Sequence, residues 1–383
     1  MILLGFAGAS LAAWISIVTL RGGFWRMREI DSASDATAPD VWPAVVCVVP
    51  ARDEAGVIAH TLKSLLTQDY RGDFHVVLVD DGSADGTAAL ARATAKALAA
   101  ENRLTILSGA PPPAGWTGKL WAVSQGVERA AGMGRPKYLL LTDADIVHAP
   151  DSVSRLAARA ESRGLALVSL MARLRCESFA ERATIPAFVF FFQMLYPFAW
   201  VNRPAGVGAA AGGCMLVNRE ALAAAGGVAS VRGALIDDCA LGAALKRQGP
   251  VWLGLTDRAV SIRQYPRFAD IAAMISRSAY AELRYQPWRL AAALGGLALV
   301  YAAPPALALF ADGAARWLGV AAWAIMAVAF QPILRFYRRS PLWGLMLPAI
   351  AAFYAGCTVL SAWQHMRGRG GMWKGRAQAA LGR

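Results

Sequence analysis

Between residues 44 and 163, short apolar runs alternate with stretches of helical character, and this alternation restricts the chain more than any other feature. The runs are 44–49 (AVVCVV), 74–79 (FHVVLV), 104–107 (LTIL) and 138–142 (YLLLT), followed by helical stretches at 55–67, 85–100, 119–131 and 151–163. Continuously apolar strands separated by helices specify a parallel α/β sheet covered on both faces. Such an open sheet binds its ligands beyond the carboxyl ends of the strands. The residues just after each run are therefore the candidate functional residues.

The rest of the chain has a different solvent. Of the 383 residues 56% are hydrophobic, more than a soluble protein usually carries. Residues 2–20 are uncharged and close to the length that crosses a bilayer as a helix. Arg21, Arg26 and Arg28 follow that stretch, whereas a cleaved signal peptide carries its charge before the apolar region. The expected organisation is an N-terminal transmembrane anchor (1–21), a domain of soluble character (40–285), a C-terminal membrane region (290–363) and a basic tail (364–383). Within the membrane region the apolar segments are 290–311, 317–334 and 342–363. The positive-inside rule places residues 21 onward and the loop RFYRRSP (335–341) in the cytoplasm, and so predicts a multi-pass protein of the inner, cytoplasmic membrane. The tail fits less simply. If 342–363 spans, Arg367, Arg369, Lys374 and Arg376 emerge on the far side, unless a segment is re-entrant with a break at Pro304, Pro305 or Pro348.

The formal charge of +13 has two readings, attraction to an anionic membrane surface and an anionic partner. Nucleic acid is excluded as a partner, because the basic residues are not interleaved with aromatics on one soluble element. The five cysteines lack the paired spacings of a disulfide framework or a zinc site.

Four sets of residues follow the strands or resemble their motifs. PARDEAG (50–56) comes after the first run, and DDGSADGT (80–87) after the second. The latter reads either as an Asp/Gly turn capping the next helix or as carboxylates meeting ribose or base donors. In GAPPPAGWTGKLWAVSQGV (109–127), Pro113 and Leu120 stand where a P-loop needs Gly and Ser or Thr, so no P-loop is present. Lys119 at that helix start suits either solvent or a phosphate. The fourth run ends in TDADI, with Asp143 and Asp145 one residue apart at the end of a buried strand. Packing explains that pair poorly; it reads either as a solvated loop end or as ligands of Mg2+ or Mn2+ bound to a diphosphate, which would supply both with a partner. His148, just beyond, either is satisfied by solvent or supports the pair.

VVPARDE, VDDGSADGT, GKLWAVSQG, TDADI, GGCMLV and IDDCALG occur in the order and spacing of the inverting glycosyltransferases of family 2, which have the Rossmann-like GT-A fold. The resemblance runs from about residue 44 to 285. The wording GWTGKLWAVSQG, with membrane segments at both ends, resembles the membrane glycosyltransferases associated with hopanoid biosynthesis, and DADIVHAP is similar to a motif of polyprenyl-phosphate sugar transferases. The resemblance implies a nucleotide-sugar donor, a UDP-sugar being the expected one, with Arg52, Glu54 and Asp81 around the nucleotide and Lys119 facing the diphosphate. Asp145 and Asp143 would hold the divalent cation, Asp143 also lying near the ribose. Asp238 of IDDCALG would be the catalytic base with Asp237 beside it, although acidic residues in a first helical turn are also ordinary helix capping. Processive members carry QxxRW after this point. Here MISRS (274–278) keeps only Arg277 as a diphosphate contact, which favours transfer of a single sugar.

The acceptor is expected to be a membrane lipid, plausibly a hopanoid. IPAFVFFFQMLYPFAWVNRP (185–204), apolar and aromatic with Pro186 and Pro197 inside it, reads either as a buried helix or as an interfacial helix seating such an acceptor. A polyprenyl-phosphate sugar transferase, a polysaccharide synthase and a non-catalytic membrane scaffold are the competing classes.

Overall fold

The computed structural model describes residues 1–31, 37–373 and 376–377, so Lys374 and most of the end of the basic tail lie outside the described residues. The chain packs as two compact units. One, α/β, comprises residues 29–175 and 200–263 with the residues from 372; the other, helical, comprises 1–28, 176–199 and 264–371. Residues 176–199 and 264–285 fall inside the 40–285 block by sequence position but pack with the helical unit.

The α/β unit is built on eight strands: β1 (Val45–Ala51), β2 (Phe74–Asp80), β3 (Leu104–Ser108), β4 (Tyr138–Thr142), β5 (Ile146–His148), β6 (Leu167–Arg173), β7 (Cys214–Asn218) and β8 (Val251–Ser261). Their order is β3-β2-β1-β4-β7-β6-β8-β5. The four strands legible in the sequence form the parallel half, each running at most two residues beyond its apolar run. Beyond β4, in strands the apolar runs did not mark, the sheet is mixed. β7 starts with Cys214 opposite Thr142, at the carboxyl end of β4, and runs back along it. β6 and β8 run parallel to each other and antiparallel to β7 and β5 respectively. The carboxyl ends of β1, β2, β4 and β8 and the beginning of β7 thus share one edge.

The packing of the helix Gly118–Ala131 sets the depth of that edge. An added Cβ at Gly126 would lie 2.4 Å from Val48 Cγ1 and 3.1 Å from Val79 Cγ2, so this glycine lets the helix sit directly on β1 and β2. Thr117 caps the helix through Leu120 N–H, and Trp121 Nε1 donates to Ala110 O at 2.8 Å, tying down the loop before it. At the far side of the sheet Asp31 N donates to Leu255 O on β8. The Asp31 carboxylate pairs with buried Arg159 at 3.0 Å, whose guanidinium lies 3.8 Å above the Trp252 ring.

In the helical unit, the helices Ile2–Leu20, Phe179–Val201, Pro287–Phe310 and Gly313–Phe336 are long and apolar enough to cross a membrane. Leu347–Met366, which carries Tyr354, Gln364 and His365, is not among them. Pro304 and Pro305 do not break their helix, and Pro348 stands in the first turn of another. Instead the chain widens into a π-turn at Ala298–Ala302, in which Ala303 N–H bonds to Ala298 O. Three carbonyls lose their i+4 donors there. Val300 O and Tyr301 O would be served by residues 304 and 305, which as prolines have no N–H, and Leu299 O by the N–H that has gone to Ala298. The N-terminal helix supplies two of them: Ser10 Oγ donates to Leu299 O at 2.9 Å and Trp14 Nε1 to Val300 O at 2.6 Å. In a hydrocarbon medium an unpaired carbonyl costs several kcal/mol, so these two side chains make the proline pair tolerable. Gly319 allows the next helix to close on this one, since its Cβ would lie 2.6 Å from Leu307 Cβ.

Two substitutions test this packing. Gly126→Ala should destabilise by about 1–3 kcal/mol through overpacking, read as a lower unfolding midpoint that Val48→Ala in the same chain partly restores. Trp14→Phe keeps the ring and removes the donor; detergent-solubilised protein should lose about 1–3 kcal/mol, and an unchanged midpoint would show that Val300 O finds another partner.

Candidate active site

At the carboxyl edge of the sheet, the loops after β1 and β2 are joined by hydrogen bonds. Asp53, in the left-handed region at φ 50°, donates its N–H to Ser83 Oγ at 2.9 Å and accepts Ala84 N–H at 2.8 Å. Glu54 N–H reaches Thr87 Oγ1 at 2.8 Å and Ala55 N–H reaches Asp85 Oδ2 at 2.9 Å. Asp85 Oδ1 also accepts Thr87 N–H at the start of the helix. DDGSADGT therefore is a turn, as one reading had it, and its polar side chains also fasten PARDEAG. Arg52 lies over Asp81, donating to its carbonyl and standing 3.6 Å from its carboxylate; the Asp81 side chain is 2% exposed.

Next to this corner three acidic residues gather around one ammonium. Lys119 Nζ lies 2.8 Å from Asp143 Oδ1 and 3.4 Å from Asp237 Oδ2. Asp237 and Asp238 open the helix Asp237–Lys246, whose N-cap Ile236 offers no side-chain bond. Asp238 does not act as an ordinary cap. Its Oδ1 accepts the N–H of Cys239 at 2.8 Å and its Oδ2 reaches across to Gly212 N–H at 2.9 Å, just before β7. A Cβ on Gly212 would stand 3.3 Å from Asp238 Cβ and 3.6 Å from Lys119 Nζ, so the glycine leaves room for both.

Asp145 is held differently. Ser261 Oγ donates to its Oδ2 at 2.8 Å and Arg263 Nε to the same oxygen at 3.2 Å, while Arg263 Nη2 lies 2.6 Å from Glu54 Oε1. Arg263 thus links the β1 loop to the second carboxylate of TDADI. Sequence reading missed it, because β8 was not recognised as a strand; once it is, SIRQYP follows a carboxyl end like the other motifs. His148 is buried at 3% exposure, not solvated as one reading allowed. Thr142 Oγ1 donates to Gly213 O at 2.7 Å, so the 2.9 Å contact from His148 Nε2 is a donation from the ring. Burial pushes the His148 pKa down to about 4.

The electrostatics follow from this geometry. Burial alone would lower the Lys119 pKa, but Asp143, Asp237 and Asp238 outweigh it and hold the pKa above its ordinary value. Asp143 is raised, by burial first and also by Asp145 and Asp237, with Lys119 opposing. Asp238 rises to about 6, through burial and then Asp237, with Lys119 and the N–H groups of Cys239 and Gly212 opposing. Burial is the first cause for both carboxylates, and the neighbouring carboxylates add to it. Asp143 and Asp237 remain 32% and 25% exposed, so solutes can reach them.

The structure thus brings together Glu54, Lys119, Asp143, Asp145, Asp237 and Asp238, with Arg52 and Asp81 paired beside Asp53. Arg277 makes none of these contacts. It caps the helix Phe268–Ser276 in the helical unit.

Comparison with known proteins gives this edge a context. Residues 46–226 match Glycosyl transferase family 2. An N-acetylglucosaminyltransferase of Mesorhizobium japonicum (strain LMG 29417 / CECT 9101 / MAFF 303099) is 30% identical over 154 residues, 39% of this chain and 34% of that protein. The chain thus spans about a third of the length of that curated relative. Among solved structures, a mannosyltransferase from Pyrobaculum calidifontis, in complex with GDP-Man and Mn2+, superposes with a TM-score of 0.55 at 19% identity, covering 94% of this chain and 99% of that one. The matched segment and the shared fold agree: the α/β unit has the GT-A-like fold and carries, over residues 46–226, the match to glycosyl transferase family 2, and among the described residues four helices are long and apolar enough to cross a membrane.

Proposed function

We propose that the protein is a membrane-bound inverting glycosyltransferase that moves one sugar from a nucleotide-sugar, a UDP-sugar in the first instance, to a lipid acceptor. The observation that carries this reading is the cluster of Lys119 with Asp143, Asp237 and Asp238 at the carboxyl edge of the sheet. Arg52, Glu54 and Asp81 line the nucleotide side, and Lys119 meets the diphosphate. Arg277 is a further candidate for the diphosphate.

The residues fit a hard divalent cation, Mg2+ or Mn2+. Asp143 and Asp145 offer oxygen only, as suits an ion that takes its other ligands from phosphates. Such an ion, when bound by Asp145 and Asp143, neutralises charge on the leaving diphosphate. The mannosyltransferase of the same fold was solved with Mn2+ and GDP-Man.

Asp238 has the properties of the general base. Its carboxylate is fixed from two sides by N–H groups, and a pKa of about 6 lets it be ionised at neutral pH yet basic enough to accept a proton. The acceptor oxygen attacks the anomeric carbon from the face opposite the diphosphate, its proton passes to Asp238, and the bonding electrons leave with the diphosphate. Asp237 keeps Lys119 in place beside it. Four helices of spanning character support a lipid acceptor, and the wording GWTGKLWAVSQG supports a hopanoid as its class. The arginines at 21, 26 and 28 support a cytoplasmic catalytic unit.

The primary test is donor binding and turnover by protein in detergent with a panel of UDP- and GDP-sugars and lipid extracts. One donor should bind and react in the presence of Mn2+ or Mg2+, lose binding with EDTA, and lose it again in Asp145→Ala; one sugar per lipid is the expected product. No donor bound by folded protein would overturn the proposal. For the base, kcat/KM should rise with pH through about 6 as Asp238 loses its proton, and level off above. Asp238→Asn should cost about 10²–10⁴-fold and abolish that rise; a mutant that keeps the same limb would assign it to another group.

A further inference from the structure

The carboxylates expected to meet a divalent cation already have cations supplied by the chain, and the two are attached differently. Arg263 and Ser261 both use Oδ2 of Asp145, which leaves its Oδ1 outside these contacts, and the other arm of Arg263 is fixed on Glu54. Arg263 can therefore stay in place while Asp145 takes a metal. Lys119 is held differently. Its ammonium, a compact charge on a flexible stem, lies 2.8 Å from Asp143 Oδ1 and spans to Asp237, so a metal on either oxygen of Asp143 would stand against it and be repelled.

The charges around the ammonium have the same consequence. Asp143, Asp237 and Asp238 all act on Lys119, so the carboxylates it serves outnumber it. Lys119 is also the second residue of the helix Gly118–Ala131. Its Thr117-capped N-terminus favours anions, so an ammonium that leaves Asp143 finds a diphosphate-binding position within reach of its flexible stem.

Resting on the proposed donor and cation, we infer that Lys119 is an exchangeable internal counter-ion. It competes with the divalent cation for Asp143 and transfers to the donor's diphosphate when cation and nucleotide bind together. The lysine stays charged throughout; only its partner changes. A metal binding alone has to displace the ammonium into solvent, whereas metal and diphosphate together give every charge a partner. Binding of the two is then positively coupled, by the same factor in each direction.

The test is Mn2+ titration of the full-length protein in detergent, followed by the electron paramagnetic resonance of free Mn2+, alone and with saturating UDP or GDP. In the wild type the nucleotide should tighten Mn2+ by about tenfold or more, within the usual range of such coupling. Lys119→Met should bind Mn2+ alone at least about fivefold more tightly than wild type, and the nucleotide should add little. Lys119→Arg keeps a cation in place and should keep the wild-type pattern, which serves as the control for a damaged site. If Lys119→Met leaves Mn2+ affinity unchanged or weakens it while the wild type binds both ligands, the exchange is wrong and the transferase reading stands. If the wild type binds neither Mn2+ nor either nucleotide, both fail.

Discussion

Everything at the carboxyl edge depends on too many carboxylates being held too close together. Asp143, Asp237 and Asp238 surround one ammonium, and Asp145 and Glu54 share one guanidinium. Like charges at this spacing repel strongly in a partly dehydrated site. The fold tolerates them because Lys119 and Arg263 stand between them and because N–H groups of Gly212 and Cys239 fix Asp238. The Asp143 and Asp238 pKa values are raised first by burial and then by the repulsion that remains. A site so arranged has a standing affinity for further positive charge, which is what handling a diphosphate requires.

The sheet's polarity creates the arrangement. Glu54 follows β1, Asp143 follows β4, and Ser261 and Arg263 end or follow β8, all at one edge. β7 contributes because it runs the other way, so its first residues, not its last, reach this edge. Two glycines set tolerances: Gly126 lets the lysine-bearing helix lie on β1 and β2, and Gly212 leaves room between Asp238 and Lys119. In the SQG of GKLWAVSQG the glycine thus packs a helix, whereas in GGC the first glycine shapes the site. Motif membership alone does not separate these roles; what a Cβ would strike does.

Much of the fold was legible where residues are apolar on both sides. β1 to β4 and the helices between them were readable because strands buried on both faces are continuously hydrophobic. β8 was not, since VWLGLTDRAVS carries Asp257 and Arg258 inside it, where Arg258 pairs with Asp151. Missing β8 meant missing Arg263. The acidic residues were legible for the opposite reason, since carboxylates at the ends of buried strands need charged partners and so have no packing explanation. Which basic residue neutralises which carboxylate was not, because those partners are 24 to 209 residues apart in the chain.

In the helical unit the same accounting of unmet partners applies to neutral groups. Two prolines remove backbone donors from a helix of spanning character, the π-turn moves one more, and a hydroxyl and an indole from the first helix replace two of the three. Trp14 further packs edge-on against Tyr301, with ring centroids 5.5 Å apart, so the donor is held in position by an aromatic contact. A helix that supplies hydrogen bonds to another helix's interior carbonyls is bound to it by more than lipid exclusion, because separating the two would leave carbonyls bare in hydrocarbon. The first helix is therefore an integral part of the helical unit's packing, and its sequence is constrained at Ser10 and Trp14 by backbone atoms that lie almost three hundred residues away.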